Sequence, residues 1–294
     1  MLPAVPKPTP VSQDVPSYVL SPLARAGVLL RDLRQLALPD DHDSAAPHRD
    51  AHYLLVVLTQ GELQLNVDFE PVVLRGAVLA LIGPGQVHQL LHAEHPQGWG
   101  ISFEPGLLES AFQLVLEQGL SRPYRLDEHT PFYVRAVALL TLLADCQAGA
   151  ADTYSGRTQQ TLLMALLSLV AGQLAPEPAA VPDREGRGPQ IERAFQQLLR
   201  QHYAQWKQPA QYAAALHLSV AHLNDTVKRQ TGQSVSAHVQ QRTILEAKRL
   251  LGFTPRSVKE IGYALGYDEP VYFGKLFKKV TGITPQQFRR QFRD

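Results

Sequence analysis

Four polar side chains in the N-terminal half have the types and spacing to act together. His48, Asp50 and His52 occupy alternate positions, and His88 follows the turn-forming run Gly85-Gln86-Val87. In an extended segment, period-two geometry puts His48, Asp50 and His52 on one face. Three chemistries suit this set. Imidazole and carboxylate donors converging on one ion would hold a metal, with His88 as the distant ligand. Alternatively, His48, His52, Tyr53 and His88 line a pocket and hydrogen-bond a small organic effector. In the plainest case the histidines only cap a strand and a turn. The expectation adopted is the effector pocket, with no metal and no cofactor. The sequence has no phosphate-binding loop, dinucleotide fingerprint, credibly spaced pair of catalytic carboxylates or zinc-finger ligand spacing, so no enzymatic activity is expected.

A second group of residues points to phosphates. From Gln190 to Asp294 there are 16 Lys or Arg against 7 Asp or Glu, whereas residues 1–189 hold 12 against 20, so the overall charge of +1 hides a basic half joined to an acidic one. Such a division is expected when only one half meets nucleic acid. The basic half contains two copies of one pattern. In the first, Gln208 to Leu216 reads as a helix, His217-Leu218 as a turn, and Ser219 as the cap of a helix from Val220 to Thr231 that stops at Gly232, with Val220, Leu223 and Val227 inward. In the second, Ser257 and Glu260 form a capping box ahead of Ile261, Ala264 and Leu265, and Gly266 ends that helix. Glu269 to Thr281 then repeats the apolar spacing through Tyr272, Phe273, Leu276, Phe277 and Val280, and stops at Gly282. Lys228 and Arg229 fall late in one helix as Lys278 and Lys279 do in the other, which suits phosphates flanking a groove. Between the copies, Ser234 caps a long helix expected to end at Gly252 and to act as a rigid spacer; one DNA turn is roughly 34 Å, so both copies could enter successive major-groove segments. Thr284, Pro285 and Gln287 open a last helix with Phe288 and Phe292 inward and Arg289, Arg290 and Arg293 outward.

The run KEIGYALGYDEPVYFGKLFKKVTGITPQQFR resembles the signature of AraC/XylS-type transcription regulators. This resemblance covers the C-terminal domain from about Phe195. It implies that the early residues of each recognition helix face base edges: Ala221, His222, Asn224 and Asp225 in the first copy, and Glu269, Pro270, Val271, Gly274 and Lys275 in the second. Lys275 suits a guanine or a phosphate, and Val271 a thymine methyl. Asp225 stands where many members place a basic or amide side chain, which weakens the expected discrimination by the first helix. His217 replaces a glycine common at the first turn, so a different backbone solution is expected there.

In the N-terminal half the apolar period changes to two. Glu62 to Phe69 alternates strictly, and Tyr53 to Leu58, Val72 to Leu74, Val78 to Ile82, Val87 to His92 and Gly98 to Phe103 add short runs between Gly and Pro turns, one of them at Gln60-Gly61. Many short strands imply a small barrel or sandwich. The stretch HRDAHYLLVVLTQGELQLNVDF…LIGPGQVHQL is similar to the cupin-like sensing domain of such regulators, which implies an α+β multidomain chain: a cupin-like barrel with two helices, then an all-α double helix-turn-helix domain. Phe132 to Leu143 and Gln159 to Leu174 read as those helices, and Leu139, Leu142, Leu143, Leu162, Leu166 and Leu169 either form a homodimer seam or pack on the chain's own barrel. The expected organisation is a flexible arm at 1–17, a sensing and dimerisation domain at 18–174, a Pro-rich linker at 175–189 and a DNA-binding domain at 190–294. A single cysteine, Cys146, and the lack of a membrane span or basic signal start point to a cytoplasmic protein. The expected partners are double-stranded promoter DNA, an unidentified small-molecule effector, a second copy of the chain and RNA polymerase, with no membrane. The rival expectation is a metal-dependent cupin enzyme with an accessory nucleic-acid module.

Overall fold

The structure, a computed structural model, describes residues 15–35, 44–108, 110–150, 152–175 and 187–293. Most of the expected arm and linker lies outside these residues. The chain divides into two compact units whose main segments are Pro16–Pro178 and Ala179–Asp294.

In the first unit, β1 (Ser17–Tyr18), β2 (Val28–Asp32), β3 (His48–Asp50), β4 (Tyr53–Val67), β5 (Glu70–Arg75), β6 (Val78–Ile82), β7 (Val87–Phe103) and β8 (Tyr124–Arg125) share one sheet. Runs expected as separate short strands are fused: β4 passes straight through Gln60-Gly61, and β7 joins both of its apolar segments. The two pair antiparallel along their whole length, with register shifts between Leu58 and Leu65. Gly98 explains why a turn signal became a bend. Its φ is +133°, and a Cβ there would stand 2.0 Å from the Val57 carbonyl oxygen, so only glycine lets the backbones approach that closely. The alternating run ends at Val67 rather than Phe69, because Asp68 and Phe69 both take positive φ and form the two-residue turn into β5.

Where a cupin-like barrel is expected, the described strands form one open hydrogen-bonded sheet. Its hydrogen-bonded order runs β1-β3-β7-β4-β6-β8, with β2 also on β7 and β5 also on β4, and its ends do not join. Bending at the bulges brings the two halves together through side chains instead: Val56, Leu58 and Ala80 of one half pack with Leu63, Leu65 and Leu74 of the other. The opposite face of β4 presents Tyr53, Leu55 and Val57 to a helical layer of α1 (Ser110–Gly119), α2 (Pro131–Ala148) and α3 (Ser155–Leu174). Thr130 caps α2 by accepting from the Tyr133 N–H. Of the two leucine alternatives, packing on the chain's own sheet is what Leu143 and Leu166 do, with Leu139, Leu162 and Leu169 against the same core; Leu142 is 52% exposed.

The second unit is all helical: α4 (Arg187–His202), α5 (Pro209–Ala215), α6 (Val220–Thr231), α7 (Val235–Phe253), α8 (Val258–Ala264), α9 (Pro270–Thr281) and α10 (Pro285–Arg293). The last residues assigned to the linker already belong to α4. One core holds Phe195, Tyr212, Leu223 and Val227 with Val235 and Val239 from the start of α7; a second holds Ile261, Phe273 and Phe277 with Ile244, Ala247 and Leu251 from its later turns. A single rigid helix therefore contributes to both cores. It does not end at Gly252, which is buried inside it; the stop comes at Thr254, whose hydroxyl donates to the Leu250 carbonyl, ahead of Pro255. Arg289, expected outward, turns back and donates to the Leu251 carbonyl in the last turn of α7 and to the Arg256 carbonyl beyond that helix. Four apolar positions expected inside are exposed, namely Val220, Ala264, Tyr272 and Val280, while Thr226 takes the inward place in α6.

Candidate nucleic-acid interface and ligand cavity

The two helix-turn-helix copies superpose in sequence with an offset of 50 residues from α6 to α9. Lys228 answers Lys278, Arg229 answers Lys279, and the left-handed Gly232 answers Gly282. Local chemistry repeats as well. The Thr231 and Thr281 hydroxyls donate back to the Val227 and Phe277 carbonyls, each at 2.8 Å, and Ser234 and Thr284 each accept from a backbone N–H three residues on. The turns differ by one residue, since only Leu218 separates His217 from the Ser219 cap, whereas Tyr267 and Asp268 separate Gly266 from Glu269. The expectation of a different backbone at His217 is corrected: φ is +54° there and +76° at Gly266, so both turns use the left-handed conformation. The Tyr203 to Lys207 segment braces the second copy. A Cβ on Gly266 would fall 2.0 Å from the Ala204 oxygen, and Lys207 lies over the Tyr267 ring at 4.8 Å.

Most of the candidate base-facing residues share this outer surface. Ala221, His222, Asp225, Glu269, Val271 and Lys275 are exposed, and so are the phosphate candidates Lys228, Arg229, Lys278 and Lys279. Val271 is 69% exposed, a large value for an aliphatic side chain. Pro270 is half-buried at the first turn of α9, and Gly274 faces open space, since a Cβ there would meet nothing within 4 Å. Asn224 is placed differently from its expected role: its side-chain carbonyl accepts from the Val235 N–H at 3.3 Å and ties α6 to the start of α7. Tyr272, which the sequence reading placed in the core, is 58% exposed beside Val271.

In the first unit a cavity of about 500 Å³ opens inside the folded sheet. Leu54, Val56, Leu63, Leu65, Ile82 and Leu90 make its apolar wall, and Arg31, His48, Asp50, His52 and His88 its polar one. Strand pairing explains the meeting. His48 on β3 lies directly opposite His88 on β7, and Asp50 is two residues further along the same face of β3. All four cluster residues, His48, Asp50, His52 and His88, are buried. Asp50 Oδ2 stands 3.4 Å from His88 Nε2 and 3.5 Å from His52 Nε2. Burial opposes ionisation of Asp50, but the His88 contact and the charges of His88, His52 and His48 outweigh it and hold the carboxyl below its usual range. One donor atom each from His48, Asp50 and His88 lies close enough for a shared ion. Tyr53 is corrected. Because His52 and Leu54 face the cavity, Tyr53 must face away, and it stacks on Phe103 with its hydroxyl donating to Glu117 at 2.5 Å. Sequence reasoning missed Arg31, Leu29 and Leu33, although the apolar start of VLLRD in β2 carried a strand signal.

Fold and surface together define a tandem helix-turn-helix protein with a separate cavity-bearing unit. The family model for helix-turn-helix domains matches residues 212–291. The MmsAB operon regulatory protein of Pseudomonas aeruginosa is 34% identical over 95 residues, which is 32% of this chain and 31% of that protein. The arabinose operon regulatory protein of Salmonella typhimurium is 27% identical over 251 residues, 81% of this chain and 83% of that one. The solved C-terminal domain of AraT, a response regulator from Geobacillus stearothermophilus, is 30% identical, covering 34% of this chain and 84% of that one at a TM-score of 0.34. The chain is therefore similar, over its helix-turn-helix region and in one case over most of its length, to proteins named as operon regulators. It spans less than a third of the first of these relatives and more than four fifths of the second. Among the described residues, no helix is long and apolar enough to cross a membrane.

Proposed function

We propose that this chain is a sequence-specific DNA-binding transcription regulator, acting in the cytoplasm on promoter DNA, whose N-terminal unit responds to a small molecule held in its cavity. The observation that carries the reading is the repeated helix-turn-helix unit built on one shared helix, with both recognition helices keeping a basic, otherwise unused outer face. In this reading α6 and α9 enter successive major-groove segments, Lys275 and Val271 read base edges, and Lys228, Arg229, Lys278 and Lys279 bind phosphates. Asp225 answers Lys275 in the repeat, so α9 discriminates more strongly than α6. The cavity volume falls in the range of small-molecule sites, and its mixed lining suits an organic effector with an aliphatic body and one polar end. Effector binding acts by favouring one of two states of the chain, with a homodimer on repeated half-sites and contact with RNA polymerase as the route to transcription.

Selection from a randomised duplex pool with the full chain tests this reading. A reproducible sequence preference is expected. Each lost base contact should cost about 1–3 kcal/mol at the preferred site, so V271A/K275A should lose selectivity while keeping nonspecific affinity. Lys278→Ala should weaken all sequences alike and reduce the slope of log affinity against log salt by about 1. Equal binding to every duplex would defeat the proposal.

A further inference from the structure

We propose that His48, Asp50 and His88 form a site for one divalent transition-metal ion. The proposal is independent of the DNA reading. It starts from placement. Cross-strand pairing sets His48 opposite His88, and one donor atom each from His48, Asp50 and His88 lies within 4.8 Å of the others in a buried setting.

The separations also suit a shared ion. Contacts of 3.4 and 3.5 Å from Asp50 Oδ2 to the two imidazole nitrogens exceed the 2.7–3.2 Å of good N–H···O bonds. Two donors each about 2.1 Å from a common ion stand about 3.0 to 3.4 Å apart at octahedral or tetrahedral angles.

Proton placement agrees. His48 Nδ1 lies 2.8 Å from the Ala46 carbonyl and His88 Nδ1 lies 3.1 Å from the Gln86 carbonyl. A carbonyl only accepts, so each Nδ1 carries a proton, and Nε2 is the ring atom through which each histidine would bind an ion. Backbone carbonyls orient metal-bound imidazoles in this way. Asp50 Oδ1 is buried and has no hydrogen-bond partner. The donors are imidazole and carboxylate without thiolate, a set that suits zinc, iron, manganese, cobalt or nickel in the divalent state rather than calcium.

The test uses the full chain, stripped with a chelator and titrated with zinc chloride and, separately, cobalt chloride. Calorimetry should show one saturable equivalent, cobalt should give the visible ligand-field bands of a nitrogen and oxygen site, and zinc should raise the thermal midpoint. H48Q/H88Q should weaken binding by at least about 100-fold and D50N by about 10-fold. H92Q/H95Q, which alters exposed histidines of β7, should leave it unchanged. Circular dichroism and retained DNA binding report the fold of each variant. If H48Q/H88Q does not fold, the cobalt spectrum of the unaltered protein decides. No saturable equivalent, no ligand-field bands, or undiminished affinity in a folded H48Q/H88Q would overturn the site while leaving the DNA reading untouched.

Discussion

The two left-handed turn residues predict an asymmetry that a pair of substitutions exposes. At Gly266, φ is +76° and an added Cβ would lie 2.0 Å from the Ala204 oxygen. An L side chain in the left-handed region costs about 1–2 kcal/mol. Relieving an overlap of well over an ångström against backbone adds about 1–3 kcal/mol in strain. Gly266→Ala should therefore destabilise the second unit by about 2–5 kcal/mol, a large share of a typical folding free energy of about 5–15 kcal/mol. His217 already bears the left-handed cost at φ +54°. His217→Gly relieves about 1 kcal/mol of it, while the freer unfolded chain takes back about 0.4–1 kcal/mol, leaving a change within about 0.5 kcal/mol. Urea unfolding of both variants, followed by far-ultraviolet circular dichroism, gives the comparison. If Gly266→Ala lay within about 0.5 kcal/mol of the parent, or if His217→Gly proved equally damaging, the account of how the Tyr203 to Lys207 segment braces the second copy would fail.

Two further predictions concern buried polar groups. Gln159 in α3 is fully buried and neither side-chain amide atom has a hydrogen-bond partner, so Gln159→Met should stabilise the first unit by about 1–2 kcal/mol and raise its thermal midpoint by a few degrees; an unchanged or lower midpoint would show the amide to be satisfied. Burial lowers the Lys207 ammonium to about 8, below its ordinary value, so between that pH and the unfolded value the unfolded chain binds more protons than the native one. Stability of the second unit should then rise as pH increases from about 8 towards about 10. Lys207→Met should remove that rise, and parallel denaturation curves of parent and variant at all pH values would contradict it.

Much of the second unit was legible because its signals are local. The Ser257 and Glu260 capping box, the Ser219 and Ser234 caps, and the left-handed stops at Gly232 and Gly282 each depend on residues within one turn, and each reappears in the structure. Gly252 misled because a glycine is a stop only where packing does not hold the helix on, and α7 is gripped by the second core there. Val220 and Tyr272 misled because α6 and α9 leave these apolar side chains on their outer faces, against the usual pattern.

What the sequence determined by itself, then, is the repeat, its caps and its basic face, since helical periodicity and capping act within a few residues. Only the tertiary structure decided the cavity. Whether Gln60-Gly61 turns the chain or bends a strand depends on how closely another strand approaches, and that approach is set some 37 residues away at Gly98, against Val57. The same long-range pairing put His88 opposite His48 and sent Tyr53 to the other side of the sheet. Strand alternation supplies a local rule for facing, but the partner that gives a face its chemistry is fixed only by pairing distant in sequence.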